Sequence, residues 1–187
     1  MFEINGNLND EKNGLKNFIT FSRVLLKVWK YFEKHLGEKL LNGPGLYIDN
    51  GTCDTGYTPI ITPVLGKYVI IKLGVDSESH ESKIAYQFSH ELMHYTYFVK
   101  YGLDKKRADD KEEAICTAAS LCVVSEMYPD SLEMYVWNLQ NRVIHNGYRK
   151  GVQVAEKINY NFDRLIKEGE NVCEEIWEDT DLCSKYE

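Results

Sequence analysis

The chain has 187 residues, of which 43% are hydrophobic and 27% charged, so it is long enough to bury a core and we expect one domain. Its formal net charge is −7 and its basic residues do not cluster, which argues against a nucleic-acid partner. Residues 1–10 lack a basic segment followed by an apolar run, and no stretch approaches about eighteen uninterrupted apolar residues. We therefore expect neither a standard signal peptide nor a membrane span.

The five cysteines form an odd set without a Cys-x-x-Cys pair. This pattern argues against a disulfide framework and against a cysteine-rich zinc site, and it favours a reducing, cytoplasmic setting. Cys116 and Cys122 fall in an apolar helical run, where we expect buried thiols that act as small hydrophobic side chains.

The chain opens with a long helical pattern that extends to about residue 41, and Asn9 or Asp10 can cap its start. Its apolar residues recur at helical intervals and predict a core face. They are Leu15, Phe18, Ile19, Leu25, Leu26, Val28, Trp29, Phe32 and Leu36. The Asn-Gly-Pro-Gly segment at 42–45 ends this helix.

Short β-type runs follow at residues 46–48, 60–61 and 68–73, separated by glycines and prolines. We predict a small antiparallel sheet of about three strands, with turns around 49–56 and at 65–67. The run at 68–73 is either an edge strand that holds an extended substrate or an ordinary internal strand.

A helix is predicted from about Glu81 to Tyr101, capped by Ser77 or Ser79 and ended by Gly102. It carries a His-Glu-x-x-His motif in which His90 and His94 lie one turn apart on one face, close enough for both imidazoles to bind one metal ion. Glu91 is placed to take a proton from the water that the metal activates. The residues around the histidines are uncharged, as a buried metal site requires.

An accidental motif of this kind arises from composition in about one chain in a hundred of this length, so the motif also needs a third ligand. After a charged connector at 103–111, the next helix opens with Glu112 and Glu113 and continues with small residues that allow close packing. Glu113, nineteen residues after His94, is the predicted third ligand, with Glu112 as the alternative. A glutamate at a helix start is otherwise only a favourable charge at the positive end of the helix dipole.

Residues 68–124 resemble the gluzincin metallopeptidases, in particular the minimal ImmA/IrrE-like group. In such families the third ligand is followed, four residues later, by a polar residue that often supports a histidine ligand. Here Thr117 occupies that place, where Asn or Asp is usual. The resemblance implies Zn²⁺ bound by His90, His94 and Glu113, with Glu91 as the general base.

The rest of the chain predicts a helix at 132–145, capped by Asp130 or Ser131, a helical region at 148–167, and a short helix at 172–177. Zinc peptidases need a donor that steadies the oxyanion of the tetrahedral intermediate. His145 and Tyr148, in a His-Asn-Gly-Tyr turn, are the candidates for this role.

These patterns predict an α+β, zincin-like fold, in which a small antiparallel sheet packs on the metal-binding helix and a Glu-bearing helix, with further helices at both ends. Within a single domain, residues 1–45 form an N-terminal helix, 46–124 the strands and metal helix, and 125–187 a helical part. The predicted function is zinc-dependent hydrolysis of a peptide bond in a specific peptide or protein substrate, without a nucleic-acid or membrane partner. The alternatives are a regulatory protein-binding module with a structural or vestigial zinc site, and an accidental motif in a helical protein.

Overall fold

The protein combines helices with one small sheet, and this confirms the predicted α+β class. The structure, a computed structural model, describes residues 2–5, 14–49, 59–75, 79–105, 107–143 and 145–183. The chain divides into two units, Met1–Lys106 and Arg107–Glu187, which are described in turn. The predicted division at residues 45 and 124 within a single domain stays a prediction.

The sheet lies in the first unit and, among the described residues, has four strands in the order β1-β2-β4-β3. Their bounds are β1 Phe2–Asn5, β2 Gly45–Asp49, β3 Ile60–Val64 and β4 Tyr68–Lys72. β1 pairs with β2 and β2 with β4 in parallel, whereas β3 and β4 are antiparallel. The prediction of an antiparallel sheet is therefore wrong for two of the three pairs, and β1 was not predicted.

The mixed directions follow from the connections between strands. Two helices, α1 (Gly14–Leu36) and α2 (Glu38–Leu41), lie between β1 and β2, and a helical crossover of this length permits a parallel pair. β3 and β4 are joined by a three-residue turn, 65–67, in which Leu65 and Gly66 have φ angles of 54° and 64° and the Lys67 N–H donates to Val64 O at 3.2 Å. β4 lies between β2 and β3, so the interpretation of 68–73 as an edge strand is wrong and β3 occupies that edge.

α1 contributes the predicted core face, and it packs against helix α3 (Glu81–Tyr101). Its fully buried side chains include Val24, Leu25, Val28 and Phe32. Ile19 and Leu26, which were predicted on the same face, are exposed. The predicted helix through residue 41 is broken at Gly37, where φ is 75° and only glycine fits without strain. Asn9 and Asp10 lie outside the described residues.

α3 begins and ends where the sequence predicts, and 14 of its 21 residues are buried. His80 is its N-cap and makes no side-chain cap hydrogen bond, so the prediction of Ser79 as the cap is wrong, while Ser77 lies outside the described residues. Gly102 ends the helix with a φ of 88°, and its N–H donates to Phe98 O at 2.9 Å. Tyr95 Oη donates to Pro44 O at 2.9 Å, which ties the middle of α3 to the turn before β2.

The second unit contains four helices in its described part. They are α4 Asp110–Met127, α5 Pro129–Asn141, α6 Asn146–Lys157 and α7 Phe162–Cys183. α4 is the central helix, because residues 114–124 are all buried and the other three helices pack against it. It starts two residues before the predicted position because the Asp109 side chain accepts from the Glu112 N–H at 2.9 Å and so caps the helix.

The remaining helix bounds differ from the prediction at their ends. α5 starts at Pro129 with Tyr128 as N-cap, so neither Asp130 nor Ser131 caps it. The predicted region at 148–167 is two helices, α6 and α7, separated by Asn159 and Tyr160 in left-handed conformation. The short helix predicted at 172–177 is part of α7. Within the described ranges, no helix combines the length and apolar character needed to cross a bilayer.

Candidate metal centre

The two histidines of the motif converge on one point beside α3. His90 and His94 are one turn apart on the helix, their Nε2 atoms are 3.2 Å apart, and their rings meet edge to face with centroids 4.9 Å apart. Both side chains are almost fully buried, with 4% and 5% of their surface exposed. The helix therefore brings two imidazole nitrogens together at a position with little exposure to solvent.

The separation of the two nitrogens fits a shared metal ion. Zinc binds imidazole nitrogen at about 2.0–2.1 Å with tetrahedral angles, so two nitrogens on one zinc are about 3.3 Å apart. The 3.2 Å between His90 Nε2 and His94 Nε2 agrees with this value. The spacing is compatible with two ligands of one ion, and it equally allows an N–H···N hydrogen bond between the two rings.

Glu91 completes the motif as a buried carboxyl group with 4% of its surface exposed. The hydroxyl groups nearby are satisfied by the helix itself: Ser89 Oγ donates to Ala85 O and Thr96 Oγ1 donates to Met93 O, each at 2.7 Å. Three buried ionisable groups within five residues of one helix are costly to a fold, and such groups concentrate at functional sites. This cost separates the motif from an ordinary core helix.

A third candidate ligand belongs to the same group. One ligand atom each from His90, His94 and Glu113 lies within 4.8 Å of the other two, so these residues could hold a metal ion. Glu112, the alternative ligand, is not a member of this group, and its backbone N–H is engaged with Asp109. Glu113 is half-buried, in contrast to the two histidines.

The position of Glu113 is set by its surroundings on α4 and α6. It lies in the first turn of α4, and the α6 residue Gly147 is packed directly against it. Thr117, one turn further along α4, is fully buried, and its Oγ1 has no hydrogen-bond partner within the described ranges. The role of Thr117 in supporting a histidine ligand stays a prediction.

His145 and Tyr148 stand at the start of α6, where His145 is the N-cap. His145 Nε2 lies 3.6 Å from Asp110 Oδ1, and its ring meets that of Tyr148 with centroids 5.1 Å apart. Neither residue belongs to the group of candidate metal ligands. Their role as oxyanion donors stays a prediction, and the contact with Asp110 was not anticipated from the sequence.

The described cysteines do not belong to the group of candidate metal ligands. Cys116, Cys122 and Cys173 carry buried thiols, which confirms the interpretation of Cys116 and Cys122 as small core residues. Burial raises the pKa of Cys122 to about 12 and that of Cys173 to about 11. At neutral pH these thiols are protonated, and a protonated thiol is a poor nucleophile and a poor metal ligand.

Sequence reasoning missed the two glycines of α6 that face α4. Gly147 and Gly151 are both buried, and a Cβ atom at either position would overlap α4. The signal in the sequence is their spacing of four residues, which places two side-chain-free positions on one helix face.

No family model, curated protein or solved structure matches this chain. The resemblance of residues 68–124 to gluzincin metallopeptidases stays a prediction carried by the motif and its spacing.

Proposed function

We propose that this protein is a zinc-dependent peptidase that hydrolyses a peptide bond in a specific peptide or protein substrate. The observation that carries the proposal is the buried pair of imidazole nitrogens, 3.2 Å apart, with the carboxyl group of Glu91 next to them in the chain. Two metal ligands one helical turn apart, with a base directly after the first of them, is the arrangement that helical zinc hydrolases use.

His90, His94 and Glu113 are the proposed ligands of the ion. Two imidazoles and one carboxylate leave an open position on a four-coordinate metal, and this ligand set favours zinc among the common divalent ions. When bound there, zinc would polarise the scissile carbonyl group and lower the pKa of a water molecule. The proton transfers and the stabilisation of the oxyanion are assigned to side chains of this protein.

Glu91 is the proposed general base. Its carboxylate accepts a proton from the attacking water and delivers it to the leaving amine, so that a single side chain serves both proton transfers. Glu91 itself is only 4% exposed, so solvent has restricted access to its carboxyl group. A restricted site keeps the electrostatic effect of the carboxylate strong because little water screens it.

His145 and Tyr148 are the proposed donors to the oxyanion that develops on the substrate carbonyl. The Asp110 carboxylate lies 3.6 Å from His145 Nε2, a distance longer than a hydrogen bond, and both side chains are about half exposed. This part of the proposal is separate from the metal ligands, since loss of the Tyr148 hydroxyl in Tyr148→Phe should lower turnover and leave metal binding unchanged.

The substitution Glu91→Gln tests the proposed chemistry. Glutamine preserves the size and buried position of the side chain but cannot accept the proton, so we expect turnover to fall by about 100- to 10,000-fold. Zinc content should stay that of the wild type, because Glu91 is not a ligand. The assay is cleavage of an unstructured protein such as casein, or of a candidate partner, by zinc-loaded protein, followed by mass spectrometry.

The His94→Ala variant is the matched control, because it should lose both the metal and the activity. Equal turnover by wild type and Glu91→Gln would refute the role of Glu91. A wild-type protein that holds zinc, cleaves nothing and binds one partner tightly would favour the regulatory module over the peptidase.

A further inference from the structure

The start of α6 is packed so closely on the start of α4 that no side chain fits between them. A Cβ atom on Gly147 would lie 2.7 Å from Asp110 O and 2.8 Å from Glu113 Cβ. Ordinary contacts between carbon atoms are about 3.5–4.0 Å, so an added methyl group would force the two helices apart or turn Glu113 away.

The contact continues one turn further along both helices. A Cβ atom on Gly151 would lie 2.5 Å from Thr117 Cβ and 2.8 Å from Ala114 O. Residues four apart share a helix face, so Gly147 and Gly151 form one row on α6 that faces the row of Glu113 and Thr117 on α4. The two glycines thereby fix the register of α4 on α6 at the residue proposed to bind the metal.

A second contact holds the same turn from the same element. His145, the N-cap of α6, lies 3.6 Å from the side chain of Asp110, which is the first residue of α4. The first turn of a helix is otherwise the part that most readily frays, because its N–H groups lack partners within the helix. Gly147 and His145 together brace the turn that carries Glu113.

We propose that the start of α6, through Gly147 and His145, positions Glu113 so that its carboxylate can bind the metal ion. This inference rests on the proposed function, because it takes Glu113 as a ligand. Gly147 and His145 act here as positioning residues: neither needs to touch the ion. A displacement of the Glu113 Cβ by about 0.7–1 Å, which a methyl group on Gly147 would require, is enough to spoil the coordination geometry.

The test compares Gly147→Ala with Gly169→Ala in the 187-residue chain. Gly169 is a helical glycine of the same unit, but a Cβ there would meet only the ends of the Leu165 and Ile115 side chains, at 2.8 and 3.4 Å. We measure Zn²⁺ affinity by competition with a chelator, and the visible absorption spectrum of Co²⁺-loaded protein, which reports coordination number and geometry. Far-UV circular dichroism checks that each variant is folded.

We expect Gly147→Ala to bind Zn²⁺ about 10- to 100-fold more weakly than the wild type and to change the Co²⁺ spectrum. Gly169→Ala should match the wild type in both. His145→Ala removes the contact with Asp110 without adding bulk, so it should shift the Co²⁺ spectrum in the same sense and weaken Zn²⁺ binding by a smaller factor. If Gly147→Ala fails to fold, His145→Ala decides the matter.

Two outcomes separate this inference from the proposed function. If the wild type binds Zn²⁺ and the folded variants at 147 and 145 bind it equally well with an unchanged Co²⁺ spectrum, the positioning role is refuted and the metal site stands. If the wild type binds neither ion, the metal site itself is refuted, and the positioning role with it.

Discussion

Gly151 lies where α6 packs closely on α4, so the stability lost when alanine replaces it can be worked out from its contacts. The new methyl carbon would sit 2.5 Å from Thr117 Cβ, 2.9 Å from Thr117 Cγ2 and 2.8 Å from the backbone oxygen of Ala114. The backbone oxygen cannot rotate away, so the helices must separate. Overpacking of this kind costs about 1–3 kcal/mol, and the overlap with backbone places Gly151→Ala near the upper end.

An alanine in a helix interior also gains about 1 kcal/mol over glycine, which offsets part of that cost. We therefore expect Gly151→Ala to lower the free energy of unfolding by about 2 kcal/mol. At Gly169 the overlap is with the end of the Leu165 side chain, which can change rotamer, so Gly169→Ala should be neutral or more stable by about 0.5 kcal/mol. For a chain of this size the two variants should differ by about 5–10 °C in the midpoint of thermal unfolding.

The assay is thermal and urea denaturation of the wild type and both variants, followed by circular dichroism. Urea data give the free energies, and unchanged slopes show that only stability differs. Equal stability of Gly151→Ala and Gly169→Ala would refute the close packing of α6 on α4. It would also remove the basis for the proposed positioning of Glu113 by Gly147.

Two further predictions concern groups outside the metal ligands. Burial raises the pKa of the Cys122 thiol from an ordinary value of 9.0 to about 12, so the stability that this thiol contributes is present below pH 9 and should be lost as the pH rises towards 12. The free energy of unfolding should therefore fall less steeply over this pH range in Cys122→Ala than in the wild type. Identical pH profiles for the two proteins would contradict the burial of this thiol. Tyr95→Phe removes the hydrogen bond to Pro44 O and should lower the free energy of unfolding by about 0.5–1.5 kcal/mol, which urea denaturation can measure. Metal analysis should show an unchanged zinc content. A loss of zinc would mean that Tyr95 also positions His94.

The metal helix was predictable because its signals are local. The two histidines and Glu91 depend only on helical periodicity, and Gly102 ends the helix through a left-handed φ that glycine adopts without strain. The turn at 65–67 follows from local chemistry in the same way, since Gly66 adopts a positive φ without strain. These features do not depend on the path of distant segments.

The features that the sequence did not predict depend on pairing between distant residues. β1 is a four-residue strand whose partner, β2, lies about 40 residues further along the chain, so nothing local marks its direction. The break at Gly37 was hidden because the apolar pattern continues into α2. The close contact of Gly147 with Glu113 likewise involves two different helices. The spacing of the glycines indicates a close contact but does not identify the helix that they contact.

The most direct test of the account is the metal content of the purified protein, measured by inductively coupled plasma mass spectrometry after reconstitution with Zn²⁺ and removal of excess ion. We expect about one zinc per chain for the wild type and none retained by His94→Ala, since loss of one imidazole breaks a three-ligand site. Wild-type protein that retains no zinc, or a His94→Ala variant that retains as much as the wild type, would contradict the proposal that His90, His94 and Glu113 hold one ion.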